Sequence, residues 1–138
     1  RFDLDALWRP RCPVANDLVM AGPGLIRDRT TRLIWQQSGS PYPLTWHDAH
    51  AVIDRLNAVC HGGRNDWRLP TVDELTTLLI KSPHARDLCV QPVFDATQKW
   101  LWSSDRRSYT AAWTVSLDMG FVSWQDFSGF LYVRAVSN

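Results

Sequence analysis

The spacing of apolar residues changes once along this chain, and that change restricts its fold more than any other feature. Between Thr45 and Leu79 apolar residues recur every three or four positions, whereas from Trp100 onward they alternate. The first spacing lines one side of a helix and the second one face of a strand. Helices in the middle followed by a run of strands give an α+β layout. A doubly wound fold is excluded, because it needs strands and helices to alternate.

The first helix starts at Thr45, whose hydroxyl can cap free N–H groups, with Asp48 placed at the positive end of the helix dipole. Trp46, Ala49, Ile53, Leu56 and Cys60 form its apolar stripe, Asp54, Arg55 and Asn57 lie outside it, and Gly62-Gly63 ends it. The second helix is announced by Pro70 and the capping-box pattern Thr71-Val-Asp-Glu74; Val72, Leu75, Leu78 and Leu79 supply its buried face until Pro83. After Pro92, strands are predicted over 100–104, 112–117, 121–126 and 131–136. The turn-like stretches Asp118-Met-Gly120 and Phe127-Ser-Gly129 join them into an antiparallel meander. Upstream, 24–30 and 32–37 read as a hairpin with Leu33 and Trp35 on one face, and Ser38 to Pro43 breaks regular structure. Residues 1–23, with Pro10, Pro13 and Pro23, read as an irregular arm, leaving 24–138 as a single domain. Two helices packed on a twisted, mainly antiparallel sheet, closed by an N-terminal hairpin, is the expected architecture.

Composition narrows the function. With 138 residues and 45% hydrophobic content the chain can bury one core, and eight Trp, five Phe and three Tyr can dominate that core or a recognition surface. A net charge of +1, from 15 basic and 14 acidic residues spread along the chain, provides no single-sign field to attract nucleic acid or an anionic membrane. No apolar run reaches about 18 residues, so no direct membrane insertion is expected. The start at Arg1 reads as a mature or excised fragment whose signal peptide or anchor has been removed.

Chemistry-bearing clusters are sparse. Cys12, Cys60 and Cys89 lack zinc-site spacing, which leaves disulfide, buried thiol or partner-chain pairing. His47 and His50, three apart on the first helix, read as a solvated face without a third metal ligand. Asn65, Asp66, Asp105 and Asp126 do not fall into a calcium-loop pattern, so neither metal nor cofactor is expected. Ser103 and Ser104 lack a nucleophile elbow, and none of His47, His50, His61 or His84 is fixed beside them as a base. The chain reads as non-catalytic.

In Asp66-Trp-Arg-Leu-Pro-Thr71, Trp67 and Leu69 read as packing between helix and sheet, with Arg68 needing Glu74 or Asp66 as acceptor; Trp102 is likewise structural. Trp113 shares a strand face with Val115 and Leu117 and is assigned to the core. The functional candidates lie between Asp105 and Phe130. Arg106, Arg107 and Tyr109 come from a polar loop, and Trp124, Asp126 and Phe127 from a hairpin that ends near Phe130. Aromatic rings stack on apolar faces of sugars or side chains, while guanidinium forks grip carboxylate or sulfate. These six residues are the candidate ligand-binding set.

Asp28-Arg-Thr-Thr-Arg-Leu-Ile-Trp35, Thr45-Trp-His-Asp-Ala49, the block from Asp66 to Leu75, Leu101-Trp-Ser-Ser104 and Tyr132-Val-Arg-Ala-Val136 occur in an order that resembles the Lcl C-terminal domain family. That family is named for the Legionella collagen-like adhesin. The resemblance implies a C-type-lectin-like fold in a secreted, surface-displayed or periplasmic bacterial protein. It also implies ligands such as sulfated polysaccharides, and trimeric association, as in that adhesin. The family often carries cysteine at the position of Ala135 and arginine at that of Ser137, so Cys60 would turn to Cys12 or Cys89, with Cys60–Cys89 preferred. Enzymes on lectin-like scaffolds use paired reactive cysteines or a histidine–iron motif, neither of which occurs here.

The expectation is therefore a bacterial surface recognition or adhesion module for a glycan or a surface protein. The alternatives are an assembly subunit of a pilus or surface fibre, self-associating through the same aromatics, and a retroelement-diversified lectin-like receptor.

Overall fold

The computed structural model describes residues 4, 6, 8, 17–22, 24–79, 99–117 and 120–138. Its strands are β1 (Leu18–Gly22), β2 (Leu25–Asp28), β3 (Leu33–Gln36), β4 (Trp100–Arg106), β5 (Ala111–Ser116), β6 (Phe121–Asp126) and β7 (Val136–Ser137), with helices α1 (Trp46–Ala58) and α2 (Val72–Thr76). The fold is α+β, as its periodicities predict. Its strands, however, form two antiparallel sheets in place of one: β1-β2-β3-β7 and β4-β5-β6.

Each sheet contributes side chains to two cores. Ile26, Leu33 and Trp35 join Leu101, Val115 and Val122 and the α2 side chains Val72 and Leu75 in one core. On the other side Leu25 and Ile34 join Trp102, Ala112, Val133 and the α1 side chains Trp46, Ala49 and Ile53 in a second core. Thus Leu33-Ile34-Trp35 is continuously buried, because successive strand residues face opposite cores.

Both caps form as their sequences predict. The Thr45 hydroxyl accepts the Asp48 N–H, and at α2 the Thr71 hydroxyl and Glu74 carboxylate complete a reciprocal capping box. Two helix expectations change. Cys60 is not on the α1 stripe; it is exposed in a left-handed turn (φ 49°) after the helix has ended. Helix α2 ends at Thr76, while Leu78 and Leu79 reach the core from the following turn. The predicted remainder of that helix from residue 80, with Pro83, lies outside the described residues.

Two strand expectations also change. Leu18–Gly22, within the segment predicted to be irregular, pairs with β2, since its apolar run lies beyond the clustered prolines. Residues 131–136 do not extend the meander. After the turn at Phe127–Gly129 the chain leaves β6: Leu131 bridges Leu44, Tyr132 bridges Leu101 in parallel, and Val136 pairs with both Trp35 and Arg68. Burial explains the detour, because Val133 and Ala135 enter the second core and Val136 the first. The C-terminal segment stitches the two sheets together.

Candidate functional site

The block from Asp66 to Leu75 is tied into the fold by its own contacts. Trp67 is buried and donates from Nε1 to the His61 carbonyl at 2.8 Å, while Asn57 brackets its backbone from α1. Arg68 grips Glu74 with two parallel hydrogen bonds of 2.5 and 2.6 Å. Burial raises the Glu74 carboxyl's proton affinity, but Arg68 and the Thr71 N–H outweigh it and bring the pKa below its ordinary value. Asp66 is also held low, chiefly by the Ser137 hydroxyl, which donates to it at 2.6 Å. Trp102 is fully buried, with its Nε1–H on the Leu44 carbonyl.

Ser103 is structural too: its hydroxyl donates to the Trp113 carbonyl at 2.6 Å within an irregularity in β4 pairing between Trp102 and Arg106. That irregularity brings the Asp105 carboxylate onto the Val72 N–H, capping α2. Asp105 and Asp66, weighed as calcium ligands, thus have structural partners. Cys60 carries no disulfide bond; Cys12 and its expected partner Cys89 lie outside the described residues, as does His84.

The six candidate ligand residues do not form one face. Arg106 closes β4 and Arg107 follows it in the bend toward β5, and their guanidinium groups reach different ring clusters. The Arg106 guanidinium lies 5.1 Å from the ring centre of Trp46 and 5.6 Å from that of Phe127, and those two rings stack at 4.4 Å. His50 stands edge-on to Trp46 at 4.3 Å, so it is not part of a solvated helix face. Burial lowers the His50 pKa; His47 and Arg106 push it the same way against the opposing pull of Asp54.

On the other side the Arg107 guanidinium sits 4.3 Å from the Trp124 ring centre and 5.8 Å from that of Trp113. Trp113 and Trp124 are direct cross-strand partners, and Trp8 stacks on Trp113 at 5.8 Å. Together with Phe121, Val122 and Ser123 they line an open cleft of about 270 Å³. Trp113, assigned to the core from its alternation, is only half-buried: it packs against the core and also forms a wall of this cleft. Trp124 remains 45% exposed. Each such cation–ring contact contributes about 0.5–1 kcal/mol when exposed.

Tyr109, 95% exposed, projects from the β4–β5 turn, and Asp126 is exposed at the end of β6. The cleft therefore gathers Arg107 and Trp124, while Arg106 and Phe127 belong to the opposite cluster. Sequence reasoning missed Trp8, Trp46 and Phe121 as site neighbours. The Trp113–Trp124 pair had a signal, since two alternating runs joined by a short turn-like sequence pair antiparallel, and their register sets these positions opposite one another. Trp8 and Trp46 had none, because only tertiary packing brings them there.

These features define a two-sheet α+β domain with a cationic, tryptophan-walled surface cleft. Residues 24–137 match the model of the Lcl C-terminal domain, and the chain belongs to that family. No curated protein matches it.

Proposed function

We propose that this domain is a non-catalytic recognition module of a bacterial surface protein, which holds a glycan or protein ligand at the cleft of Arg107, Trp113 and Trp124. The observation that carries this reading is the open cleft in which an exposed guanidinium overhangs two paired indoles. Indole faces stack on the apolar face of a sugar ring or on an apolar side chain, and the free edge of the guanidinium can fork onto a carboxylate or sulfate. Membership of an adhesin-related family supports display outside the cytoplasm, and two helices on opposite sides of paired antiparallel sheets suit a C-type-lectin-like fold. Among the described residues, no helix is long and apolar enough to cross a membrane. The structural engagement of Ser103 with the Trp113 carbonyl favours holding a ligand over transforming it.

The test is binding of the purified protein to sulfated and neutral glycans and to surface proteins at two salt concentrations, with its oligomeric state followed by light scattering. Arg107→Ala and Trp124→Ala are each expected to weaken binding about tenfold, corresponding to about 1.4 kcal/mol, while Tyr109→Ala probes the neighbouring turn. Salt sensitivity confined to anionic ligands is expected from the guanidinium. Unchanged affinity in both cleft variants would refute the assignment. A stable oligomer that hides Trp124 would instead support an assembly subunit.

A further inference from the structure

Strand β6 is the outer strand of its sheet, and its register with β5 runs over six consecutive pairs without a shift. Its outer edge is engaged at one end, where the Val122 N–H donates to the Trp8 carbonyl at 2.8 Å. Backbone groups alternate in direction along a strand, so with Val122 facing outward, Trp124 faces outward too. Among the described residues none accepts from the Trp124 N–H. This stretch of edge, open among the described residues, adjoins the cleft because Val122 and Trp124 belong to both.

Trp8 shows what this place accommodates. Its carbonyl takes the edge N–H while its indole stacks on Trp113 beside Arg107, so a single residue makes a strand-edge hydrogen bond and an aromatic contact together. Trp8 remains 49% exposed and has a left-handed backbone with φ of 63°, a conformation that L-residues other than glycine adopt at a cost. Its hold on the cleft is therefore partial. Exposed strand edges pair readily with extended chains: main-chain hydrogen bonds supply affinity and side-chain pockets supply selectivity.

We infer that the cleft and the β6 edge form an acceptor for an extended polypeptide segment carrying an aromatic side chain, and that Trp8 of the chain itself holds this position until such a segment displaces it. The inference rests on the reading that the cleft is the ligand site and narrows the ligand to polypeptide. Attachment gives Trp8 a high effective concentration at the cleft, so an incoming segment must compete with it.

The test uses the full chain with Trp8→Ala and, as probe, a synthetic peptide of residues 1–11 of this same sequence. The peptide is expected to bind Trp8→Ala at least about tenfold more tightly than the unmodified protein. That binding should disappear when the peptide's own tryptophan is replaced by alanine, or when Trp124→Ala is added to the protein. Hydrogen exchange at the Val122 amide provides an independent reading: protected in the unmodified protein, faster in Trp8→Ala, and protected again when the peptide is added. Equal peptide affinity for both proteins, or binding that survives Trp124→Ala, would overturn the inference. If the peptide fails to bind while Trp8→Ala tightens glycan binding, the polypeptide inference falls and the cleft stands as a glycan site. If neither ligand responds to Trp8→Ala or Trp124→Ala, the cleft assignment falls with it.

Discussion

Arg68, Glu74 and Thr71 make one unit, since the Glu74 carboxylate both receives the arginine and closes the capping box. Glu74→Ala should destabilise the domain by about 1–3 kcal/mol, read by urea denaturation, because a half-buried guanidinium loses its charged acceptor and the Thr71 N–H loses its half of the capping box. With its folded pKa depressed, Glu74 contributes stability above its ordinary value of 4.5 that is lost as pH falls through the lower folded value. His50 acts in a higher range. Its folded pKa also lies below the ordinary 6.5, so the unfolded chain takes up a proton that the folded one refuses between the two values. Stability should therefore fall as pH drops below 6.5 and level off beneath the folded pKa. Thermal melting at about pH 5.5 and about pH 7.5 should show this, with a smaller difference in His50→Gln. An unchanged difference would place the titration elsewhere.

Helix α2 is only five residues long, and its entry is held by side chains from both sides: Thr71 and Glu74 locally, Asp105 from β4. Asp105→Asn keeps an acceptor but removes the charge facing the helix N-terminus, and should cost about 0.5–1 kcal/mol in a denaturation midpoint. The turn after α1 is constrained differently. Gly62 has φ of 63°, and a Cβ there would lie 2.7 Å from the Leu25 Cδ1. Gly62→Ala should destabilise by about 1–2 kcal/mol; a neutral result would mean that Leu25 moves aside freely. The capping sequences disclose where both helices start, because capping needs only residues within one turn of each other. The length of α2 was not legible, since Leu78 and Leu79 keep a helical spacing while packing from a turn.

In the molecule as a whole, the last eight residues make backbone connections to both sheets. The chain from Leu131 to Ser137 bonds to Leu44, β4, Arg68 and β3 in turn, and the Arg134 guanidinium, buried between them, donates to the Gln36 and Gln37 carbonyls. Removing residues 131–138 should abolish cooperative unfolding, observed as loss of a sigmoidal urea transition, because both cores lose side chains at once. A sharp transition in that truncated chain would refute the stitching role. The path of this segment also explains what the sequence withheld. Alternation identified its inward-facing residues but could not name the strands it would meet, since a turn after β6 permits a hairpin and a departure equally. The candidate ligand set divided for a related reason: adjacent arginines look like one basic loop until packing at the end of β4 brings each onto a different cluster of rings. What the sequence alone determined was the α+β class, both helix starts, the need of Arg68 for a carboxylate at Glu74 or Asp66 and the aromatic character of the strands, all set by backbone geometry and chemistry within a few residues. Only the tertiary structure decided that there are two sheets, that Arg107 rather than Arg106 overhangs the open cleft, and that Trp8 reaches it. Those outcomes depend on which distant surfaces exclude water together, a property of the whole packed chain.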